Sequence, residues 1–277
     1  MTAGSGGPTT RLVALLGHPV GHSASPAMHT AALEAADVDA VYLAFDVAPA
    51  ALPGAVTGLG ALGALGANVT VPHKTAVLDL VDRVTDEARG VGAANTLFWS
   101  HDALVADNTD AAGLSQVLTH DIGLPEGTPT VIVGAGGAAR AAAVALGRAR
   151  ARVRVHARRP KPAWAVRDLA VAHGARHLDT DAPFTLVVNA TPLGLRGESL
   201  PEEFMRLGPG QIAFDLVYGA EPTPFVVAAE QAGAAAFDGR GMLLGQALQA
   251  FERWTGQSAP REAMRHALDT TLQRALG

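Results

Sequence analysis

Short apolar runs alternate along this chain with alanine-rich segments of helical length. In the first half, the runs at 11–17, 40–47 and 67–71 are rich in valine and leucine, and each predicts a β-strand. The segments 25–36 and 51–62 lie between them and predict helices. Strands that alternate with helices favour a layered α/β protein with largely parallel sheets.

Two local signals refine the prediction for the first half. Ser25 stands directly before Pro26, so we expect Ser25 to cap the first helix and Pro26 to take its first helical position. The apolar runs at 95–99 and 103–106 are separated by a polar Ser-His-Asp turn. This spacing predicts a hairpin, and therefore an antiparallel part in the first sheet.

The second half starts near Asp110, which we expect to cap a helix, and its pattern is more regular. Strands are predicted at 130–133, 153–156, 185–189, 212–217 and 234–237, with helices at 137–149, 163–172 and 225–232. This order predicts a Rossmann-type, doubly wound domain over 110–241. The tail from Met242 consists of two helical segments, which we expect to return to the first domain. That domain then comprises 1–109 plus 242–277.

Composition narrows the classes of function. The chain has 277 residues, 48% of them hydrophobic, a mean hydropathy of +0.19 and a net charge of -5. No long basic run is present, so we expect neither nucleic acid nor a membrane as partner, and a small-molecule function is favoured. Cysteine is absent, which excludes thiolate chemistry and suits a reducing cytoplasm. The apolar stretch 12–16 is too short for a signal sequence or a membrane span.

A glycine-rich loop follows the first strand of the second half. Gly134, Gly136 and Ala139 form the G-x-G-x-x-A arrangement between a predicted strand and a predicted helix. This context is typical of a dinucleotide site, in which the glycines admit the pyrophosphate at the helix N-terminus. The alternative is a tight strand-to-helix turn without a ligand.

The next strand bears on which dinucleotide is bound. An NAD site usually has an acidic residue roughly 20 positions after the first glycine. Here Arg158 and Arg159 occupy that region, and guanidinium groups suit a 2'-phosphate. NADP is therefore favoured over NAD, and a solvated basic turn remains the alternative.

Polar motifs follow or precede the strands of the first half, at 17–29, 68–74, 92–97 and 107–113. Since the carboxyl ends of parallel strands share one edge, we expect these motifs to meet in one cleft. Pro72 ends the strand and would deliver Lys74 just beyond it, with Asp110 as the best candidate partner. Such a pair could protonate the alkoxide formed when hydride reaches a ketone.

Uncharged polar side chains accompany this pair, and they suit a small polyhydroxylated acid. They are Ser23, Ser25, Asn68, Thr70, Asn95 and Gln246. Singly, each has an ordinary structural explanation as a helix cap or a turn residue. Four histidines, His18, His22, His29 and His73, lie in the same region without acidic or cysteine ligands at a matching spacing, so we expect no metal site.

At these motifs, and at 189–194, 215–225 and 238–247, the chain resembles the shikimate dehydrogenase family over nearly its whole length. The resemblance implies reversible NADP-dependent reduction of 3-dehydroshikimate to shikimate, on the route to chorismate and the aromatic amino acids. It implies that Lys74 is the general acid and base and Asp110 its partner at the reacting hydroxyl. Family members also have a cleft between two domains that closes on the ligands.

The resemblance also implies the binding residues. Ser23 and Ser25 would hold the substrate carboxylate with help from Tyr218, while Asn68, Thr70, Asn95 and Gln246 would hold or support the ring hydroxyls. The cofactor residues would be Gly134, Ala135, Gly136, Gly137, Ala138, Arg158, Arg159, Asn189, Thr191 and Gly239.

The chain departs from the family pattern at three places. Thr30 replaces a common asparagine, Ala94 replaces valine, and Ala157-Arg158-Arg159 replaces the usual Asn-Arg-Thr. Quinate or aminoshikimate therefore remain alternative substrates, and NAD an alternative cofactor. A catalytically inactive cofactor-binding sensor is a third hypothesis, although it should have lost Lys74 or Asp110. A homodimer and a monomer both stay open.

Overall fold

The fold is described from a computed structural model, which places residues 7–21 and 23–274. The chain divides into two compact units. The first unit contains the described residues up to 109 and those from 246 onward, and the second contains 110–245.

Strands and helices alternate through most of the described chain. The strands are β1 (Arg11–Gly17), β2 (Ala40–Asp46), β3 (Gly66–Val69), β4 (Arg83–Val84), β5 (Thr96–Ser100), β6 (Ala103–Asp107), β7 (Pro129–Val133), β8 (Arg152–His156), β9 (Arg176–His177), β10 (Leu186–Asn189), β11 (Ile212–Asp215) and β12 (Ala235–Phe237). The helices are α1 (Ser25–Ala35), α2 (Leu52–Ala61), α3 (Asp86–Val91), α4 (Asp110–Gln116), α5 (Gly137–Arg148), α6 (Pro160–Ala172), α7 (Glu202–Met205), α8 (Pro224–Gln231), α9 (Arg240–Thr255) and α10 (Arg261–Arg274).

The sheet of the first unit has the strand order β2-β1-β3-β5-β6-β4. β1 is parallel to β2 and β3, whereas β5 is antiparallel to both β3 and β6. The predicted hairpin is confirmed, since Ser100 pairs with Ala103 across a two-residue turn. The sheet is thus mainly parallel around β1, with an antiparallel part beside it.

Helices cover the first sheet on both faces, which explains why β1 is an almost continuous apolar run. Ala14 and Leu16 join a core that includes Val56 and Leu59 of α2. Val13 and Leu15 are equally buried and, by the alternation of a strand, face the other side. There α1 packs against α10, so the C-terminal helix belongs to the first unit. Strands covered on both faces are apolar throughout.

The sheet of the second unit has the strand order β12-β11-β10-β7-β8-β9, and all of its described pairings are parallel. The chain order reverses between β7 and β10, as in a doubly wound nucleotide-binding fold. The predicted fold class is therefore confirmed. The loops that leave β7 and β10 are the place where such folds bind ligands.

The two predicted helix caps are wrong. α1 begins at Ser25 itself, Ala24 occupies the cap position, and the Ser25 N–H donates to Ser23 Oγ at 3.2 Å. α4 likewise begins at Asp110, which lies inside the first turn. A serine or aspartate near the start of a helix signals the region of that start to within one or two residues, but not the first helical residue.

Within the described residues, no helix combines the length and the apolar character that crossing a membrane requires.

Candidate active site

Backbone hydrogen bonds join the loops that follow β1 and β3. The His18 N–H donates to the Val71 carbonyl at 2.9 Å, and the Thr70 N–H donates to the Leu16 carbonyl at 2.9 Å. A Cβ atom at Gly17 would lie 2.2 Å from Thr70 Cγ2, so only glycine permits this approach. The structure therefore brings Thr70 against the start of the segment that leads to the two serines.

Ser23 and Ser25 lie at the start of α1. The Ser25 N–H donates to Ser23 Oγ, Ser25 is buried and Ser23 is half-buried. The N-terminus of a helix carries partial positive charge and free N–H groups. Two hydroxyls at such a position can bind a carboxylate without a fixed cation.

Lys74 stands on a short segment that is fixed on both sides. Its carbonyl accepts a hydrogen bond from the Ala94 N–H at 2.7 Å. The neighbouring His73 is buried, and its Nε2 donates to the Val47 carbonyl at 2.7 Å. The backbone of Lys74 is thus held beside the 92–97 motif, and its side chain is half-buried.

Asn68 and Asn95 belong to one buried polar network. Asn68 Oδ1 accepts from the Tyr42 hydroxyl at 2.7 Å, and Asn68 Nδ2 donates to the Asn95 carbonyl at 3.1 Å. Asn95 Nδ2 in turn donates to Thr109 Oγ1 at 2.9 Å and to Gln246 Oε1 at 3.2 Å. The structure therefore brings together three of the predicted substrate residues, Asn68, Asn95 and Gln246, within the first unit.

The network also contains residues that the sequence analysis missed. The Thr109 N–H donates to Asn95 Oδ1 at 2.8 Å, and the Thr96 hydroxyl donates to the same oxygen at 3.2 Å. Tyr42, Thr96 and Thr109 are all buried. Both threonines stand directly after an asparagine in the motifs, which is a signal that sequence reasoning could have used. Asp110 follows Thr109 in the chain and is itself buried.

The glycine loop of the second unit meets the requirements of a pyrophosphate site. Gly134 has φ +120°, and a Cβ there would lie 2.7 Å from the Ala190 carbonyl oxygen. Gly136 is exposed, and a Cβ at this position would meet nothing within 4 Å, so the space beside it is open. α5 begins at Gly137, with Ala138 half-buried beside it and Ala139 fully buried. The first N–H groups of α5 therefore adjoin open space at Gly136, where an anion could bind.

Two arginines lie where the chain leaves β8. Arg158 and Arg159 are both exposed, and Arg159 takes the cap position of α6. The Gly134 N–H donates to the carbonyl of His156, the last residue of β8, at 2.8 Å. The arginines are therefore close in the chain to the backbone of the glycine loop. Ala135 lies half-buried in that loop.

Asn189 has a structural role in this unit. It is fully buried, its Oδ1 accepts from the Thr191 N–H at 3.0 Å and the Thr191 hydroxyl at 2.7 Å, and its Nδ2 donates to Leu193 O at 3.0 Å. These contacts shape the loop after β10. Of the two predicted cofactor residues here, only Thr191 lies in the loop itself.

The Asp215 carboxylate accepts hydrogen bonds from the end of β10, from the residues after β11 and from the start of α8. Its Oδ1 accepts from Asn189 Nδ2 at 2.8 Å and from the Val217 N–H at 2.9 Å, while its Oδ2 accepts from the Thr223 hydroxyl at 2.6 Å. Burial raises the pKa of Asp215 to about 6, because the hydrogen bonds only partly offset desolvation. Sequence reasoning did not single out this carboxylate.

The remaining predicted residues lie near the ends of β11 and β12. Tyr218 is half-buried after β11 and belongs to the second unit, unlike the other predicted substrate residues. Gly239 follows β12, and a Cβ there would lie 2.3 Å from the Leu216 carbonyl oxygen. Glycine is thus required for packing at this position.

The four histidines of the first unit do not form a cluster as far as they are described. His18 contacts Asp46 at 2.5 Å, and His73 binds a backbone carbonyl. His29 is fully buried, and burial lowers its pKa to about 3. His22 lies outside the described residues. In the part of the chain that the structure describes, no group of three or more His, Cys, Asp or Glu side chains could hold a metal ion.

Comparison with known proteins places this geometry in a family. The domain family described as the shikimate dehydrogenase substrate binding domain matches residues 15–97, and the shikimate 5'-dehydrogenase C-terminal domain matches residues 239–268. A shikimate dehydrogenase (NADP(+)) of Citrifermentans bemidjiense is 42% identical, covering 95% of this chain and 96% of its own length.

Two solved structures resemble the fold. One is shikimate 5-dehydrogenase of Thermus thermophilus in complex with NADP(H) and shikimate, with a TM-score of 0.81, 36% identity and coverage of 94% of this chain and 99% of its own. The other is the ligand-free 5-ketofructose reductase of Gluconobacter sp. strain CHM43, with a TM-score of 0.81, 30% identity and coverage of 96% and 100%. With such identity over almost its whole length, the chain belongs to the shikimate dehydrogenase family.

Proposed function

We propose that this chain catalyses the reversible, NADP-dependent reduction of 3-dehydroshikimate to shikimate. The observation that carries the proposal is the buried network of uncharged amides and hydroxyls from Tyr42 to Gln246, which adjoins the segment bearing Lys74. Neutral amides and hydroxyls offer both donors and acceptors, which matches the hydrogen-bonding capacity of ring hydroxyls. The relatives named above as shikimate dehydrogenases support the choice of substrate.

The proposed substrate contacts follow from the chemistry of each side chain. Ser23 and Ser25, at the start of α1, bind the carboxylate with help from Tyr218. Thr70 and Gln246, with the amides of Asn68 and Asn95, bind or support the ring hydroxyls. In this scheme 1–109 plus 242–277 form the substrate domain and 110–241 the cofactor domain.

Lys74 and Asp110 are the proposed acid–base pair. The bound cofactor supplies the hydride that reduces the ketone. As the carbonyl oxygen becomes a hydroxyl, the Lys74 ammonium gives it a proton, and the neutral amine takes that proton back in the oxidation direction. Asp110 hydrogen bonds at the reacting hydroxyl and keeps it oriented toward Lys74.

The glycine loop and the two arginines are the proposed cofactor contacts. The pyrophosphate would lie against Gly134 to Ala138, with Thr191 and Gly239 nearby and Asn189 shaping the loop. Arg158 and Arg159 would bind the 2'-phosphate, since exposed guanidinium groups are free to form paired hydrogen bonds with it. We place the protein in the cytoplasm, and a homodimer and a monomer both stay open.

The similarity to 5-ketofructose reductase supports a second candidate function. That protein has this fold, and its name gives another hydroxylated ketone as its substrate. In this alternative the mechanism at Lys74 is unchanged. Quinate or aminoshikimate replaces shikimate as the alcohol that is oxidised, or a keto sugar replaces 3-dehydroshikimate as the ketone that is reduced. A tolerant pocket distinguishes such compounds by only a few kcal/mol.

Initial rates would separate the candidates. Shikimate, quinate and aminoshikimate are each offered with NADP+ and with NAD+, and 5-ketofructose is offered with NADPH and with NADH. We expect the highest kcat/KM for shikimate with NADP+. A higher value for another compound would favour the second candidate, and a preference for NAD+ would overturn the role of Arg158 and Arg159.

Lys74→Ala tests the mechanism separately. Loss of a general acid should lower kcat by about 10²- to 10⁴-fold, while NADP+ binding is retained. Undiminished turnover by folded Lys74→Ala protein would show that the acid–base assignment is wrong. A wild-type protein that binds NADP+ but turns over none of the substrates would instead favour a sensor.

A further inference from the structure

Tyr42 is the one buried side chain in β2, among neighbours that are exposed or half-buried. Leu43 and Phe45, on the same strand, remain exposed. Tyr42 therefore does not belong to a general apolar face of β2. Its hydroxyl donates to Asn68 Oδ1 at 2.7 Å. This hydrogen bond connects β2 to the buried polar network around Asn68 and Asn95.

The hydrogen bonds of Asn68 fix which way its amide group faces. The Asn95 carbonyl can only accept a hydrogen bond, so Asn68 Nδ2 must face it, at 3.1 Å. Asn68 Oδ1 must then face Tyr42, and the tyrosine hydroxyl must be the donor. A rotated amide would place two acceptors together at the Asn95 carbonyl, and burial would make that arrangement costly.

In this orientation the Asn68 amide keeps hydrogen-bonding capacity that a ligand can use. Asn68 Oδ1 has a second lone pair beyond the Tyr42 contact, and the second Nδ2 hydrogen has only a long contact of 3.4 Å to Thr96 Oγ1. Asn68 can therefore offer one acceptor and one weakly engaged donor. A ring hydroxyl of the substrate needs such a combination.

The tyrosine ring is held on two sides by other rings. His29 of α1 stacks on it with the ring centroids 4.5 Å apart and the planes 13° from parallel. Trp254 lies 6.1 Å away, and its Nε1 donates to the Leu97 carbonyl at 2.9 Å. In the described part of the chain neither ring nitrogen of His29 has a hydrogen-bond partner, so His29 serves here as a flat, neutral packing surface.

We infer that Tyr42 is a positioning residue for the substrate, because its hydroxyl orients the amide of Asn68; this rests on the proposed function. Tyr42 contacts Asn68, and it acts on the substrate only by holding that amide. The stacked His29 ring fixes the orientation of the Tyr42 ring, and therefore the direction from which its hydroxyl approaches Asn68. Because His29 and Ser25 both lie on α1, this stacking connects the helix that carries Ser25 to the residues proposed to bind the ring hydroxyls.

Tyr42→Phe tests the inference because it keeps the ring and removes only the hydroxyl. We expect the dissociation constant of shikimate to rise about 3- to 10-fold, the range expected from one neutral hydrogen bond, and the dissociation constant of NADP+ to stay unchanged. Trp99→Phe is the matched control, since it removes a side-chain hydrogen bond to the Ala64 carbonyl in the same unit. It should change neither constant.

The effect must pass through Asn68. In an Asn68→Ala background, Tyr42→Phe should therefore weaken shikimate binding no further, which a double-mutant cycle measures without turnover. Among monodeoxy analogues of shikimate, the one lacking the hydroxyl bound by Asn68 should bind the wild type and Tyr42→Phe equally well.

Should Tyr42→Phe fold poorly, His29→Leu provides a second variant that keeps the hydroxyl and removes the stacked ring. It should weaken shikimate binding in the same direction by a smaller factor. Equal shikimate affinity in wild type and Tyr42→Phe, or additive effects with Asn68→Ala, would overturn the inference. Failure of the wild type to bind shikimate would instead reject the proposed function.

Discussion

At the scale of single residues, the network around Asn95 and the site around Asp215 bury different kinds of polar group. The amides and hydroxyls around Asn95 are buried without charge, and each has a partner of matching type. Amides and aliphatic hydroxyls carry no charge that a change of pH near neutrality would alter. Asp215 in the second unit is different, because it buries a carboxyl group among neutral donors.

Stability should therefore depend on the protonation of Asp215. Its pKa is raised to about 6 from the ordinary 3.8, so between these values the folded chain binds more protons than the unfolded chain. The free energy of unfolding then falls as pH rises through this window, and the loss above pH 6 is about 3 kcal/mol for a shift of this size.

Asp215→Asn removes the charge but keeps the shape, and its amide can donate to the Thr223 hydroxyl. We expect the variant to gain stability relative to the wild type on going from pH 4.5 to pH 8. Thermal unfolding of both proteins across this range measures the difference. Asp181→Asn, on an exposed aspartate of the same unit, is the control. A difference between Asp215→Asn and the wild type that is the same at both pH values would contradict the prediction.

At the scale of elements, sequence patterns predicted the long strands and helices but not the short ones. β4 and β9 have two residues each, and α7 has four, which is too short for a period to be visible. α3 is also short, yet Thr85 caps it and Gly92 ends it with φ 67°, so its signals were present in the sequence. The antiparallel placement of β5 beside β3 depends on pairings that no local pattern encodes.

One face of α9 anchors it to the first sheet. Gln246 and Arg253 are seven residues apart and so share a face. Gln246 binds Asn95, while Arg253 Nε donates to Asp107 Oδ2 at 2.9 Å. The Asp107 side chain is only 3% exposed, so removing the arginine would leave a buried carboxylate without its charged partner.

Arg253→Ala should lower the free energy of unfolding by about 2 kcal/mol. This is below the usual cost of breaking a buried pair, because the arginine is half exposed and Thr85 still donates to Asp107. Chemical denaturation measures the change. Arg265→Ala, which breaks an exposed pair with Glu262 on α10, is the matched control and should have no measurable effect. Equal effects of the two substitutions would contradict the prediction.

At the scale of the whole molecule, the doubly wound fold of the second unit was predicted from the alternation of its strands and helices, because parallel crossovers leave few topologies. The residues of the candidate site were predicted less completely from the sequence. Motifs gave Asn68, Asn95 and Gln246, and the structure joins them. Tyr42 escaped because nothing in the sequence shows that one side chain of an exposed strand turns inward. The roles assigned to Lys74 and Asp110 stay predictions.

The division into two units gives a last prediction, that each ligand protects most strongly the backbone amides of the unit that supplies most of its proposed contacts. NADP+ should slow hydrogen exchange most strongly at 134–140 and 189–194, where the N–H groups at the start of α5 would bind phosphate. Shikimate should do so at 66–70 and 95–97, where the amide network would close on its hydroxyls. Because a ligand stabilises the state that binds it, protection should grow with ligand concentration relative to the dissociation constant.

Hydrogen exchange measured with each ligand separately tests this prediction, with inorganic phosphate as the control. Strongest protection by NADP+ at 66–70, with 134–140 unchanged, would show that the cofactor site has been assigned to the wrong unit.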